Sequence, residues 1–285
     1  MLGARLLQRL WAAAVLLVPA SSAAALPPLV LHYDVYAAGL PALSLRLDIH
    51  LSDDRYRIVA EMETRGVAGF LYSWRHRGVA DGRIEQGILY PAQYRAVSDS
   101  GGSVKVATLA YAPDGGVVAS ADPVAEEGRD PVPAELTRGS VDILTAVLMV
   151  TRTMDRTGRC EGRVPVYDGR RRYDLVFADG GADRASAITV SAVRRCQATM
   201  RRLAGFLRTL SSWDDGDEAR AAAISVATLR DDLPALPVRL DLATPVGMAR
   251  AELTAVHVDG RAIIPSGDGT QVARTRPSGP NLPRR

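Results

Sequence analysis

From Leu43 to Leu51 the chain alternates without a break: Leu43, Leu45, Leu47, Ile49 and Leu51 interleave with Ser44, Arg46, Asp48 and His50. Successive side chains leave a β-strand on opposite faces, so a period of two describes a strand with one apolar and one wet face; a helix would scatter the same leucines around its circumference. A strand covered on one side only belongs in an antiparallel sheet. Ser52-Asp53-Asp54 supplies turn chemistry, and Tyr56, Ile58, Ala60 and Met62 then alternate with Arg55, Arg57 and Glu61 as the hairpin partner. A third alternation, Phe70, Tyr72 and Trp74, precedes an expected turn at Asp81-Gly82, and the next strand runs from Ile84 to Tyr90, closed by Pro91.

The pattern persists. Turn signals at Asp99-Ser100-Gly101-Gly102 and Pro113-Asp114-Gly115-Gly116 flank short apolar runs, and Asp168-Gly169 reads as a two-residue hairpin turn joining Arg163–Tyr167 to Arg170–Phe177. Further strands are expected at Ala187–Ala198, Arg201–Leu210, Ala222–Leu229, Pro237–Leu242 and Met248–Val258. One segment differs. After a Pro-rich linker, Asp122–Pro133, Ser140 offers an N-cap, Asp142 complements the dipole in a first turn, Ile143–Val150 is continuously apolar and Gly158 marks an end. A helix apolar on every side is buried. The predicted fold is therefore mainly β: a curved antiparallel sheet or half-barrel of about ten or more short strands, with one buried helix around residues 140–156 that is either core or a lid over a ligand cavity.

At the N-terminus, Arg5 and Arg9 precede the apolar run Leu10–Val18 and the small residues Ala23-Ala24-Ala25, the form of a secretory signal cleaved after Ala25. The run is shorter than the roughly 20 apolar residues needed to span a bilayer, so no stable membrane span is expected after cleavage. Residues 26–265 read as a single domain, and 266–285, rich in Gly, Pro, Ser and Arg, as a disordered tail. This division changes the meaning of the charge. The sequence pI is about 9.0, yet of the formal +3 the leader carries two charges and the tail three, which leaves the body at −2. With 5% aromatic residues as well, nucleic acid is not an expected partner.

Two cysteines, Cys160 and Cys196, remain after export, where an even count favours a disulfide over buried thiols or redox chemistry; a loop of about 37 residues is worth about 4 kcal/mol in the chain-entropy model. Motifs for a nucleophile elbow, zinc protease, phosphate loop or dinucleotide fold are absent from the sequence, so neither catalytic residues nor a metal or cofactor site is assigned. His32 and Asp34 share a strand face and form the single base-and-orienter pair. Asp214-Asp215-Gly216-Asp217-Glu218 lacks the alternating ligand spacing of a calcium loop and reads as a solvated acidic turn. Arg170, Arg171, Arg172, Arg194 and Arg195 flank Cys196 in expected strands; their two readings are an anion or ligand patch, or solvent-facing groups paired with Asp174, Asp179 and Asp183.

The run from Cys160 through Tyr167-Asp168-Gly169-Arg170-Arg171-Arg172-Tyr173-Asp174-Leu175, with Cys196 and Leu203-Ala204-Gly205-Phe206 beyond it, resembles the exported bacterial proteins of domain-of-unknown-function family 3108. Tyr33-Asp34-Val35-Tyr36 with Gly39, Tyr90-Pro91 with Tyr94, the Asp142 helix and Pro237-Val238-Arg239 extend the resemblance over about residues 30–250. Arg202-Leu203 stands where that family usually has Pro before its Ala-Gly pair. The resemblance implies an exported, mostly β protein with paired cysteines, and carries over no activity. The expected function is thus a non-enzymatic periplasmic domain of the cell envelope that binds an apolar or amphipathic ligand or docks an envelope protein; a hydrolase of cell-wall or lipid substrates, built on His32 and Asp34, is the alternative.

Overall fold

In a computed structural model, which describes residues 26–124, 126–183, 193–207, 220–244 and 247–264, the alternating segments form one 14-stranded antiparallel sheet that does not close on itself. The first half of the chain is a meander. Strands β1 (Leu29–Ala37), β2 (Leu40–Leu51) and β3 (Arg55–Thr64) lead through the short helix α1 (Gly66–Leu71) into β4 (Trp74–Glu85), β5 (Ile88–Ser100), β6 (Ser103–Tyr111) and β7 (Val117–Asp122), each paired with the one before it. Having reached one edge of the sheet, the chain crosses to the other through α2 (Ala134–Thr137) and α3 (Ile143–Thr157). A second meander, β8 (Gly162–Tyr167), β9 (Arg172–Asp183), β10 (Val193–Ala204), β11 (Arg220–Ala227), β12 (Leu236–Thr244) and β13 (Gly247–Val258), winds inward until β13 pairs with β1; β14 (Arg261–Ile264) adds to β13.

The crossing segment fills the hollow of the sheet. Gly139 N–H donates to the Gly115 carbonyl in the β6–β7 turn, while Val141 exchanges hydrogen bonds with Pro165 and Tyr167 of β8, so residues 139–141 stitch the two edges together. Helix α3 then lies against the inner face. Leu148 joins the core formed by β1–β3, β12 and β13, whereas Ala146, Val150 and Met154, four residues apart, face the core of β8–β11. This two-sided burial explains why Ile143–Val150 is apolar at every position but Thr145. Both ends are fixed: Asp142 accepts from Thr145 N–H as the N-cap, and Gly158, at φ 65°, donates to the Met154 carbonyl as the C-cap. Immediately beyond, Cys160 is bonded to Cys196 of β10 with Cα atoms 5.6 Å apart, so the expected disulfide tethers the helix exit to the sheet.

Several expectations are corrected. Asp81-Gly82 is not a turn but lies inside β4; the turn falls at Gln86 and Gly87, with φ of 51° and 80°. Gly82 is where the Tyr56 ring crosses the strand: an added Cβ would stand 2.5 Å from the ring and 2.3 Å from the Tyr90 carbonyl oxygen. Pro91 continues β5 rather than closing it, because it faces Gly82 at a bulge that tolerates the missing N–H. Phe70 and Tyr72 do not share a strand with Trp74. Gly69 packs against the Thr64 carbonyl and the intervening chain coils into α1, leaving Phe70 90% exposed.

Asp168-Gly169 is part of a four-residue loop, Asp168–Arg171, instead of a two-residue turn. The Asp168 carboxylate accepts from the backbone N–H groups of Arg170 and Arg171, at 3.0 and 2.8 Å, and only Gly169 takes positive φ. Ser140 does not cap α3; its hydroxyl donates to the Thr137 carbonyl, and Asp142 takes the capping role. The segment from Arg201 to Ala204 belongs to the same strand as Cys196. Residues 1–25, Ala187–Ser191, Asp214–Glu218 and the 266–285 tail lie outside the described residues.

Gly82→Ala is expected to lower stability by more than about 2 kcal/mol through overpacking against Tyr56. An unchanged urea midpoint would remove the close approach as the reason for this glycine.

Candidate functional site

Between α3 and the inner face of the sheet lies a cavity of about 210 Å³. Its walls follow from the two periodicities. Leu45, Leu47, Ile49 and Leu51 project inward from β2, every second residue, and Ile58, Ala60 and Met62 do so from β3. Leu144, Leu148 and Arg152, one turn apart, face them from α3, with Leu236 and Leu240 of β12 completing the wall. The lining is almost wholly apolar, the surface that best accepts an apolar chain. His76 on β4 is one of the few polar groups present. Its Nδ1 lies 2.7 Å from the Ser98 hydroxyl, and burial holds its pKa below the ordinary imidazole value, so the neutral ring is favoured.

Under the start of α3 sits a buried polar cluster. Asp142 is fully buried and takes two hydrogen bonds from Thr145, from the amide at 2.9 Å and the hydroxyl at 2.7 Å. Because the Thr145 proton is committed to the carboxylate, Tyr56, 2.9 Å from the same hydroxyl oxygen, must be the donor to it. Burial raises Asp142 to about 6, with the Thr145 bonds opposing the shift. Burial, and after it the Asp142 charge, also raises Tyr94 and Tyr111 well above the ordinary phenol value. The cluster ties the helix cap to β3 and thereby fixes the cavity roof over its floor.

The opposite face of β1–β5 carries an open depression of about 1010 Å³ with charged walls. Strand register sets its two rows. His32, Arg46, Glu61, Arg77 and Val97 stand side by side, followed by Asp34, Ser44, Glu63, Arg75 and Asp99. Charges alternate and pair, with Arg77 to Glu61 at 2.9 Å, Arg75 to Asp99 at 3.8 Å and Arg65 to Asp34 at 3.9 Å. His32 and Asp34 share this face as expected, but Asp34 faces Arg65, and the His32 ring lies edge-on to His257 at 5.5 Å. Partial burial, followed by the Arg46 and His257 charges, lowers the His32 pKa. No hydrogen bond joins His32 to Asp34 among the described residues.

The five arginines do not come together. In the β9–β10 register Arg172 is opposite Ala204 whereas Arg194 is opposite Ala182, so the two groups occupy opposite ends of the strand pair. Each meets a carboxylate. Arg170 spans the sheet opening, at 3.2 Å from Glu126 and bonded to the Asp122 and Pro123 carbonyls. Arg171 pairs with Asp168 at 2.8 Å, Arg172 with Asp174 at 2.8 Å, Arg194 with Asp179 at 3.2 Å, and Arg195 with Asp241 at 3.2 Å. Glu126 also takes Lys105 and Arg129, both at 2.8 Å; burial works against its charge, yet these bonds and the neighbouring cations hold its pKa at about 2. Among the described residues no group of three or more metal-ligating side chains forms. The residues that sequence reasoning did not assign are those of the cavity; the alternation in β2 and β3 marked their inward faces, but not that a gap would be left above them.

An open antiparallel sheet wrapped around one helix, with an apolar cavity between them, defines the structural class. The model of the family described as a protein of unknown function (DUF3108) matches residues 32–254, and the chain belongs to that family. None of the curated proteins matches the chain. Among solved structures, the chain is similar to the crystal structure of a beta-barrel-like protein of domain of unknown function DUF1849 from Brucella abortus, at 8% identity and a TM-score of 0.47, over 82% of this chain and 98% of that one.

Because Asp142 is raised above the ordinary carboxylate value, the folded state binds its proton more tightly than the unfolded state. Its contribution to stability is therefore greatest below about pH 4 and is lost as pH rises through about 6, a loss of about 3 kcal/mol for a two-unit shift. Asp142→Asn, which keeps the cap, is expected to remove that slope from a urea-denaturation series between pH 4 and 7; parallel curves for the two proteins would show that the carboxyl does not titrate there.

Proposed function

We propose that this protein is an exported, non-enzymatic binding domain of the cell envelope that holds an apolar or amphipathic ligand between α3 and the inner face of its sheet. The observation that carries the reading is the cavity: about 210 Å³ of space lined by inward leucines, left between α3 and a sheet whose buried apolar side chains otherwise pack into contiguous clusters. Apolar groups left against empty space forfeit dispersion contacts, and a ligand chain restores them. Export is supported by the basic, apolar and small-residue order of residues 1–25, with cleavage after Ala25, and fits the buried Cys160–Cys196 bond. The 266–285 segment would remain as a basic tail outside the domain. Among the described residues no helix is long and apolar enough to cross a membrane.

Two outcomes are expected. Titration with 1-dodecanol followed by calorimetry should show saturable one-to-one binding, and Val147→Phe, which fills the cavity from α3, should abolish it while the far-ultraviolet spectrum is retained; equal binding by both proteins would place the ligand elsewhere. In cells, the periplasmic fraction should contain a form beginning at Leu26, read by N-terminal sequencing. Recovery of the chain in the cytoplasm with Met1 intact would overturn the exported assignment.

A further inference from the structure

The cavity wall contains one cation, Arg152, that forms no ion pair among the described residues. Arg152 continues the Leu144 and Leu148 stripe of α3 at the four-residue spacing and lines the cavity with them. Its Nε is buried and has no hydrogen-bond partner, and no carboxylate among the described residues pairs with its guanidinium. Asp155, one turn further on, lines the cavity too, but it is largely exposed, accepts from the Ala235 amide at 3.1 Å and forms no ion pair with Arg152. Other sheltered arginines have a carboxylate: Arg172 reaches Asp174 at 2.8 Å, Arg170 reaches Glu126 at 3.2 Å, and Arg239, although its Nε likewise lacks a hydrogen-bond partner, is paired with Asp183. A guanidinium set against apolar walls is costly unless an anion and hydrogen-bond acceptors accompany it.

We propose that the cavity takes a single acyl chain bearing one carboxylate, with the chain along the leucines of β2 and α3 and the carboxylate on Arg152. The proposal rests on the binding reading above and gives it a ligand class. Size favours one slender chain, since about 210 Å³ is below the roughly 300–1,000 Å³ of pockets for bulkier ligands. Charge favours a monoanion, since one guanidinium is unpaired, and its planar donor fork matches a carboxylate.

The test compares dodecanoate with 1-dodecanol, equal in chain length and different in head group, by calorimetry at pH 8 on the intact chain. Wild-type protein is expected to bind dodecanoate about tenfold or more tighter than the alcohol, the factor a charged hydrogen bond provides. Arg152→Gln should bring the two affinities together without weakening the alcohol, and Arg152→Lys should retain part of the preference. Equal affinities in wild-type protein, or an undiminished preference in Arg152→Gln, would overturn the role of Arg152 and leave the binding reading standing. Failure of both probes to bind would overturn both. Should Arg152→Gln not fold, the wild-type comparison and Arg152→Lys decide the matter.

Discussion

The structure depends on helix α3 occupying the hollow of a sheet that does not close. A sheet curved this strongly presents a row of inward leucines, valines and tyrosines that water would otherwise reach, and burying them supplies most of the driving force for folding at about 25 cal/mol per Å². In a closed barrel those side chains meet each other. Here the edges β7 and β8 remain apart and the crossing segment takes the place of closure, with Leu148 serving one half of the core and Ala146, Val150 and Met154 the other. The helix is therefore not an addition to a β protein; the two meanders have a common interior because it lies between them.

That arrangement needs the helix to be held at both ends, and different chemistry does so at each. At the start, Asp142, Thr145 and Tyr56 form a chain of hydrogen bonds from the helix cap to β3, in a place where an unpaired polar group would be expensive. At the end, Gly158 reverses the chain and the Cys160–Cys196 bond attaches it to β10. The opening between the edges is spanned by Arg170 and the Glu126 cluster with Lys105 and Arg129. The cavity is what remains where the helix and the strands β1–β3 cannot make full contact. A straight cylinder inside a twisted, curved surface fits closely along one line and departs from it on either side.

Strand identity was legible wherever alternation was strict, as in Leu43–Leu51, because burial on one face leaves a period of two in the residues themselves. The helix was legible from Ile143–Val150 and its bounding Gly158. Reading failed where a glycine was taken as a turn signal but is needed for packing. Gly82 lies under the Tyr56 ring, and the partner that makes a glycine necessary there is 26 residues away in sequence. The aromatic alternation at Phe70 and Tyr72 misled for the complementary reason: both are exposed, so their spacing records no buried face. The arginine clusters flank one cysteine in sequence but fall at opposite ends of an antiparallel pair, which reverses direction and separates what numbering places close together.

The order of residues alone establishes the fold class, the one buried helix and the two cysteines available for pairing, since these follow from local periodicity and composition. It also located the basic excess in the two ends of the chain, outside 26–265. It takes the tertiary structure to leave the sheet open, to make α3 its interior wall, and to set Arg152 on a cavity without an ion-pair partner among the described residues. Those features depend on which distant strands meet and on the volume left between surfaces of different curvature. Neither quantity is encoded in any short stretch of residues.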